Sequence, residues 1–273
     1  MVVFREVKLA KVTVVKIGGA TLGSHDTTIE DIVRLQKQGV SLLVVHGGGK
    51  LITEWLTKHG ISTQFVRGER VTDRETLEVT VGVLAGLVNK DIVAAINNAG
   101  GRAIGISGVD GTLIQARVKD VKLGYVGEVI KVDTALLESL LRDGYVPVIS
   151  PLGINTPDRA GDSPNMLNIN ADVVAGEIAA AIGAERLIFL TDVAGIGDQS
   201  GKLLSRLSPG EAEALLASGV ASGGMIPKIK ACLKALVTTR TTRIIDGRLP
   251  HALLREVEGH GGGTTISVSK RGF

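Results

Sequence analysis

A single cysteine, Cys232, in 273 residues excludes an internal disulfide and is compatible with a reducing compartment. Aromatic residues make up only 3% of the chain, too few to build a stacking platform for nucleotide bases. The charge balance, 31 basic against 28 acidic residues, leaves an interspersed excess of +3, not the concentrated stripe of a nucleic-acid binder. Small anionic ligands suit it better. The longest unbroken apolar stretches, such as "VSLLVV" after Gly39, have strand length, and the leading "MVVFREVKLAK" carries charges where a signal peptide needs an apolar region. A cytoplasmic protein that neither spans nor crosses a membrane is therefore expected. The two commonest phosphate-binding motifs are missing too: Gly49-Lys50 is followed by leucine, so there is no GxxxxGK[ST], and the glycine clusters never form GxGxxG. The five histidines show no metal-ligand spacing, so no zinc site is expected.

What the chain does have is alternation. "VTVVKI" (Val12 to Ile17) is a β-branched run ending in Gly18-Gly19, and "TTIEDIVRLQKQG" follows, with Thr27 and Glu30 spaced as a capping box and Gly39 as terminator. "VSLLVV" repeats the scheme: strand, the turn "HGGG", then a helix near Lys50 to His59 with Ile52, Trp55 and Leu56 on one face. Thr72 and Glu75 are spaced as another capping box before a long helix to about Asn97, and "GRAIGIS" reads as the next strand. A hairpin excursion is expected from about Thr112 to Lys131, then a helix over Asp133 to Asp143, the strand "VPVIS", a helix over Ala171 to Ile182 and the strand "LIFLT". Ser208-Pro209-Gly210-Glu211 opens a further helix with proline in its first turn, Pro227 sits early in another, and "RIID" and "TTISVS" supply late strands. The expected fold is α/β: a three-layer αβα sandwich around a mostly parallel sheet, in two lobes, with ligands at the carboxyl ends of the strands.

Several residues stand where chemistry could occur. Lys16 ends the first strand, either pointing into such a site or simply solvated. "SGGMIPKIKA" brings Gly223-Gly224 and Lys228 to a helix start, where backbone N–H groups and a cation meet. Asn168, Asn170 and Asp172 alternate onto one side of an extended segment entering a helix, with Asn170 equally readable as an N-cap. Thr191-Asp192, ahead of Gly195, is a polar strand exit or a nucleotide contact. Cys232, in the helix after Lys228, reads as packing and not as a nucleophile.

Taken in order, "VVKIGGA", "VVHGGGK", "GERVTDRETLEV", "GISGVDG", "VGEV", "VPVISPLGI", "LNINADVVAGEIAAAIGAERLIFLTDVAGI", "GGMIPKIKACLKAL" and "IIDGRLPHALL" make a set that resembles the N-acetylglutamate kinases of the amino acid kinase family, from about Val12 to Ile266. The resemblance implies transfer of the γ-phosphoryl group of ATP to the side-chain carboxylate of N-acetyl-L-glutamate, a step of arginine biosynthesis, with Mg²⁺ arriving on ATP. It implies that Lys16 and Lys228 stabilise the transferring group and that Asp172 holds both ammonium ions. Gly18, Gly19 and Gly48 would offer N–H groups to phosphate or to the attacking carboxylate, with Gly47 and Gly48 lining that carboxylate. Arg70 would pair with the substrate α-carboxylate, Arg67 being the competing candidate, and Asn168 would contact the same end. The nucleotide would lie over Thr191, Asp192, Gly195, Gly223, Gly224 and Met225. Residues 1–183 would form the lobe for acetylglutamate and dimerisation, and 184–273 the ATP lobe.

The sequence departs from the family at Lys50 and Thr53, where proline and asparagine are common, at Glu69 for leucine, and at Val109 for lysine. Two rival readings accompany the resemblance: a kinase for a carrier-linked aminoadipate or glutamate, and a non-catalytic nucleotide or amino-acid sensor. The segment Thr76 to Ile96 is apolar around too much of its circumference for one buried face, which together with the resemblance points to a homodimer. Arginine-inhibited relatives carry an extra N-terminal helix; with only short, charged sequence before the first strand, arginine inhibition is not expected.

Overall fold

The computed structural model describes residues 11–18, 27–66, 68–156 and 163–268. Gly19, Arg67 and the charged N-terminal segment lie outside the described residues, so the expectations that concern them stay with the sequence. In chain order the first elements are β1 (Val12–Ile17), α1 (Thr28–Lys37), β2 (Ser41–His46), α2 (Gly49–Lys58), β3 (Phe65–Val66), β4 (Glu69–Arg70), α3 (Arg74–Val81), a π-helical stretch over Gly82–Val88, α4 (Asn89–Asn98) and β5 (Ala103–Ser107). There follow β6 (Ile114–Val118), β7 (Gly127–Val132), α5 (Ala135–Arg142), β8 (Val146–Ser150), β9 (Leu152–Asn155), β10 (Met166–Asn168) and α6 (Ala171–Ile182). The chain ends in β11 (Arg186–Thr191), β12 (Arg206–Leu207), α7 (Pro209–Ala217), α8 (Met225–Ala235), β13 (Thr241–Asp246), α9 (Ala252–Val257) and β14 (Thr264–Ser267).

Eight strands form the main sheet in the order β12-β14-β13-β11-β1-β2-β8-β5. The six from β13 to β5 run parallel, and β14 is antiparallel to β13. Parallel strands buried on both faces are apolar throughout, and β1 and β8 have no exposed residue. Their alternate side chains feed two cores: Val12 and Val14 join α5, α6 and α8 on one face, while Val15 and Ile17 join α1, α2, the α3–α4 helix and α9 on the other. That is the expected three-layer sandwich. A second, four-stranded sheet, β10-β9-β6-β7, holds the expected excursion and packs against the first core through Ile114, Ala116 and Leu167.

Two helix starts differ from their sequence signals. Thr27 makes no side-chain cap on α1; its Oγ1 accepts the His251 N–H at 2.6 Å, because α9 approaches this end of α1. Before α3 the cap is Asp73, which accepts from the Thr76 N–H, while Thr72 Oγ1 turns back to donate to the Arg70 carbonyl. The α7 start forms as expected with Pro209 in its first turn, and Ser208 and Glu211 add a reciprocal capping box. By length and composition alone the helix Arg74–Asn98 could cross a membrane, but Leu77, Leu84, Ile92 and Ile96 are buried in this chain's own core.

Candidate active site

Three helix and strand ends converge on one carboxylate. Asp172 lies in the first turn of α6, where Asn170 is the N-cap, its side chain accepting the Asp172 and Val173 N–H groups at 2.8 and 3.4 Å. Lys16, from β1, places its ammonium 2.7 Å from Asp172 Oδ1. Lys228, in the first turn of α8, reaches Oδ2 at 3.1 Å and also donates to the Gly224 carbonyl at 3.1 Å. The side chains of Lys16, Asp172 and Lys228 are 9%, 6% and 18% exposed, so these charges are largely out of water and depend on one another.

A close helix crossing makes this meeting possible. Gly176, one turn beyond Asp172, lies so near α8 that a Cβ there would come within 2.8 Å of the Ala231 carbonyl oxygen. Ala231 is itself three residues beyond Lys228, so the bare backbone of α6 brings α8 and its lysine down onto the carboxylate.

The glycine turn after β2 meets Lys16 and Asp172 at one cavity. Lys16, Gly47, Gly48, Arg70, Asn168 and Asp172, from distant segments of the chain, all line this cavity of about 210 Å³. Gly48 is bare because a Cβ would meet Leu84 Cδ2 at 2.7 Å and Val88 Cγ2 at 3.4 Å, both from the π-helical stretch. Arg70 comes off the β3–β4 hairpin and is fixed by its surroundings: it donates to the Gly49 carbonyl at 3.0 Å and to Thr53 Oγ1 at 2.8 Å, and its guanidinium sits 4.9 Å from the Phe65 ring centroid. Burial pulls its pKa down from the ordinary arginine value. Thr53, one of the departures from the family, thus serves as a support for Arg70. Glu69, another, has its carboxylate engaged by Lys119 at 2.7 Å. Asn168 donates to Thr72 Oγ1 at 3.2 Å.

The residues assigned to nucleotide lie elsewhere on the same edge and do not line that cavity. Thr191, at the carboxyl end of β11, has its hydroxyl within 3.0 Å of the Val193 and Ile245 carbonyls, closing its own turn. Asp192 is exposed, Gly195 and Gly223 have φ of 150° and 51°, and Gly224 and Met225 open α8. Gly18 is the residue after β1, its N–H 3.4 Å from the Leu190 carbonyl. Cys232 is fully buried and its thiol is pushed up to about 12 by burial, in keeping with packing.

Two neighbours of the site escaped the sequence reading. Arg248 clasps Asp246 through two hydrogen bonds, 2.9 and 2.7 Å, just past β13 and with Asp192 close enough to act on its charge. His46, the last residue of β2, is fully buried; burial lowers its pKa from 6.5 to about 4, so the imidazole is neutral. The "HGGG" spelling contained it, but no periodicity separates a buried strand-end histidine from a solvated one.

Two lysines sharing one buried aspartate at the carboxyl edge of a mostly parallel sheet make a cationic site of a kind suited to phosphate groups. Residues 11–246 match the amino acid kinase family, and the chain belongs to that family. It is 47% identical over 256 residues to acetylglutamate kinase of Dehalococcoides mccartyi (strain BAV1 among others), covering 94% of each chain. It is 50% identical over 253 residues to acetylglutamate kinase of Thermosynechococcus vestitus, covering 89% of this chain and 83% of the relative. Among solved structures, N-acetylglutamate synthase from Neisseria gonorrhoeae, complexed with coenzyme A and N-acetyl-glutamate, superposes with a TM-score of 0.81 at 26% identity, over 96% of this chain and 60% of that one.

Proposed function

We propose that the protein transfers the γ-phosphoryl group of ATP to the side-chain carboxylate of N-acetyl-L-glutamate, giving the acyl phosphate and ADP, a reaction of arginine biosynthesis. The observation that carries this reading is the Lys16–Asp172–Lys228 bridge, of which Lys16 and Asp172 line the same cavity as Arg70. A carboxylate nucleophile needs no general base, so catalysis reduces to aligning two anions and offsetting the charge on the group in flight. Lysine ammonium ions and the N–H groups of Gly19 and Gly48 supply that offset, the Gly18 N–H being directed at the Leu190 carbonyl. Asp172 keeps the lysines from repelling one another when the phosphates are absent. Arg70 pairs with the substrate α-carboxylate, for which a planar guanidinium is suited, and Asn168 contacts the same end.

ATP lies over Thr191, Asp192, Gly195, Gly223, Gly224 and Met225, in a part spanning residues 184–273, while 1–183 holds acetylglutamate. The main sheet runs unbroken between them through the β1–β11 pair. Mg²⁺ travels on the nucleotide phosphates, consistent with both oxygens of Asp172 being engaged by ammonium ions. The protein acts in the cytoplasm as a homodimer, for which the exposed Gly82, Gly86 and Leu87 on the long helix offer a small-residue apolar face.

The test is a coupled ADP-release assay with free acetylglutamate, glutamate, acetylaminoadipate and a carrier-linked acidic substrate. Acetylglutamate is expected to give the highest kcat/KM. A higher value with the carrier-linked substrate, or no ADP release with any of them, would overturn the proposal.

A further inference from the structure

Building on the phosphoryl-transfer reading, we propose that His46 and Asn89 are positioning residues: their buried hydrogen-bonded pair holds the Gly47–Gly48 peptide with its N–H turned toward the cavity. His46 Nδ1 lies 2.9 Å from the Gly47 carbonyl oxygen, and its Nε2 lies 3.2 Å from Asn89 Nδ2. The tautomer follows from the partners. Asn89 Nδ2 also faces the carbonyls of Val148 at 2.9 Å and Ile106 at 3.3 Å, which only accept, and Lys90 donates to Oδ1, so Nδ2 is the amide nitrogen; its two hydrogens serve Val148 and His46, the longer Ile106 contact being shared. Nε2 must then accept, and Nδ1 carries the proton that it donates to Gly47.

The consequence lies in peptide geometry. In a trans peptide the C=O and the following N–H point in opposite directions. Anchoring the Gly47 oxygen on a ring buried among β2, β8 and α4 therefore turns the Gly48 N–H the other way, toward the cavity that Gly48 lines. No acceptor within the described residues meets that N–H. Leu84 and Val88 of the π-helical stretch lie against Gly48, and Asn89 follows at once as the first residue of α4, so one continuous helical run supplies both the packing and the hydrogen bond that set the loop. The place for Asn89 is itself built: Gly105 of β5 is bare where any Cβ would collide with Asn89 Oδ1.

Two measurements test this. His46→Leu keeps volume but removes the donor to Gly47, whereas His46→Asn restores a donor where Nδ1 stood. An oriented N–H on a developing anion is worth roughly a hundredfold in rate, so His46→Leu should lower kcat by about that factor, with KM for ATP within about twofold, and His46→Asn should recover about tenfold or more. Turnover of His46→Leu within about threefold of wild type, or equal losses in two folded variants, would refute the proposal. Long-range ¹H–¹⁵N NMR of the unsubstituted protein needs no variant to fold and is independent of whether acetylglutamate is the substrate. It should show His46 as the Nδ1–H tautomer, unprotonated at pH 6; an Nε2–H tautomer or a charged ring there would overturn it. Lys16 and Lys90 are the charged neighbours that bear on this ring, and both favour its neutral form.

Discussion

Replacing Asp172 by asparagine keeps the shape of the side chain and deletes the one negative charge shared by two ammonium ions. In the wild type Lys16 and Lys228 bind opposite oxygens of that carboxylate at 2.7 and 3.1 Å. Ammonium ions so arranged stand roughly 5–6 Å apart, and at an effective dielectric of about 20 they repel by about 3 kcal/mol once the carboxylate is gone. Removing one member of a buried ion pair costs about 3–5 kcal/mol in general, and the cavity beside the lysines lets water return, so the lower figure applies. For a chain of this size about 3 kcal/mol corresponds to a drop of roughly 6–12 °C in Tm. Calorimetry of Asp172→Asn, with and without a non-hydrolysable ATP analogue, is the assay. The analogue should raise Tm more in the variant than in the wild type, because its phosphates supply the missing negative charge, and turnover should fall by about a hundredfold or more. A Tm within about 1 °C of wild type, together with turnover within about threefold, would refute the idea that one aspartate holds both lysines.

Other perturbations probe separate parts of the site. Arg70→Ala should raise KM for acetylglutamate far more than KM for ATP in steady-state kinetics; equal effects would contradict its role at the α-carboxylate. Gly48→Ala should reduce kcat and lower Tm, the cost of overpacking against Leu84 being about 1–3 kcal/mol, and a silent substitution would show that the π-helical stretch does not fix the loop. Because the folded-state pKa of His46 lies below its unfolded value, its contribution is complete above pH 6.5 and is lost as the pH falls toward 4, by about 3 kcal/mol in all. Denaturant midpoints at pH 7, 5 and 4 should fall more steeply for wild type than for His46→Asn; parallel profiles would rule this out.

The β-branched runs and their glycine exits announced the central strands and α6, because parallel strands and a well-capped helix are specified locally. Thr72 and Thr27 have the spacing of caps, yet the Thr72 hydroxyl turns back to the Arg70 carbonyl two residues earlier and the Thr27 hydroxyl is taken by the distant His251 N–H. The β9–β10 pair and the π-helical stretch went unread for a related reason: β10 is three residues long and pairs only within the second sheet, and no composition marks an i→i+5 turn. Within the site, Lys16, Asp172 and Lys228 came from motifs far apart in the chain, while the Gly176–Ala231 approach that joins two of them is visible only in three dimensions. Asn89 lies inside a helix whose sequence signal is its apolar circumference, and the fold alone reveals it as the partner of His46.

The most direct measurement is to trap the product: incubate the protein with ATP, free acetylglutamate and hydroxylamine, and compare hydroxamate with ADP. Wild type should form hydroxamate in step with ADP, and Lys16→Ala and Lys228→Ala should each lose it by about a hundredfold or more. ADP without hydroxamate, or undiminished hydroxamate from either lysine variant, would contradict phosphoryl transfer to the carboxylate at this bridge.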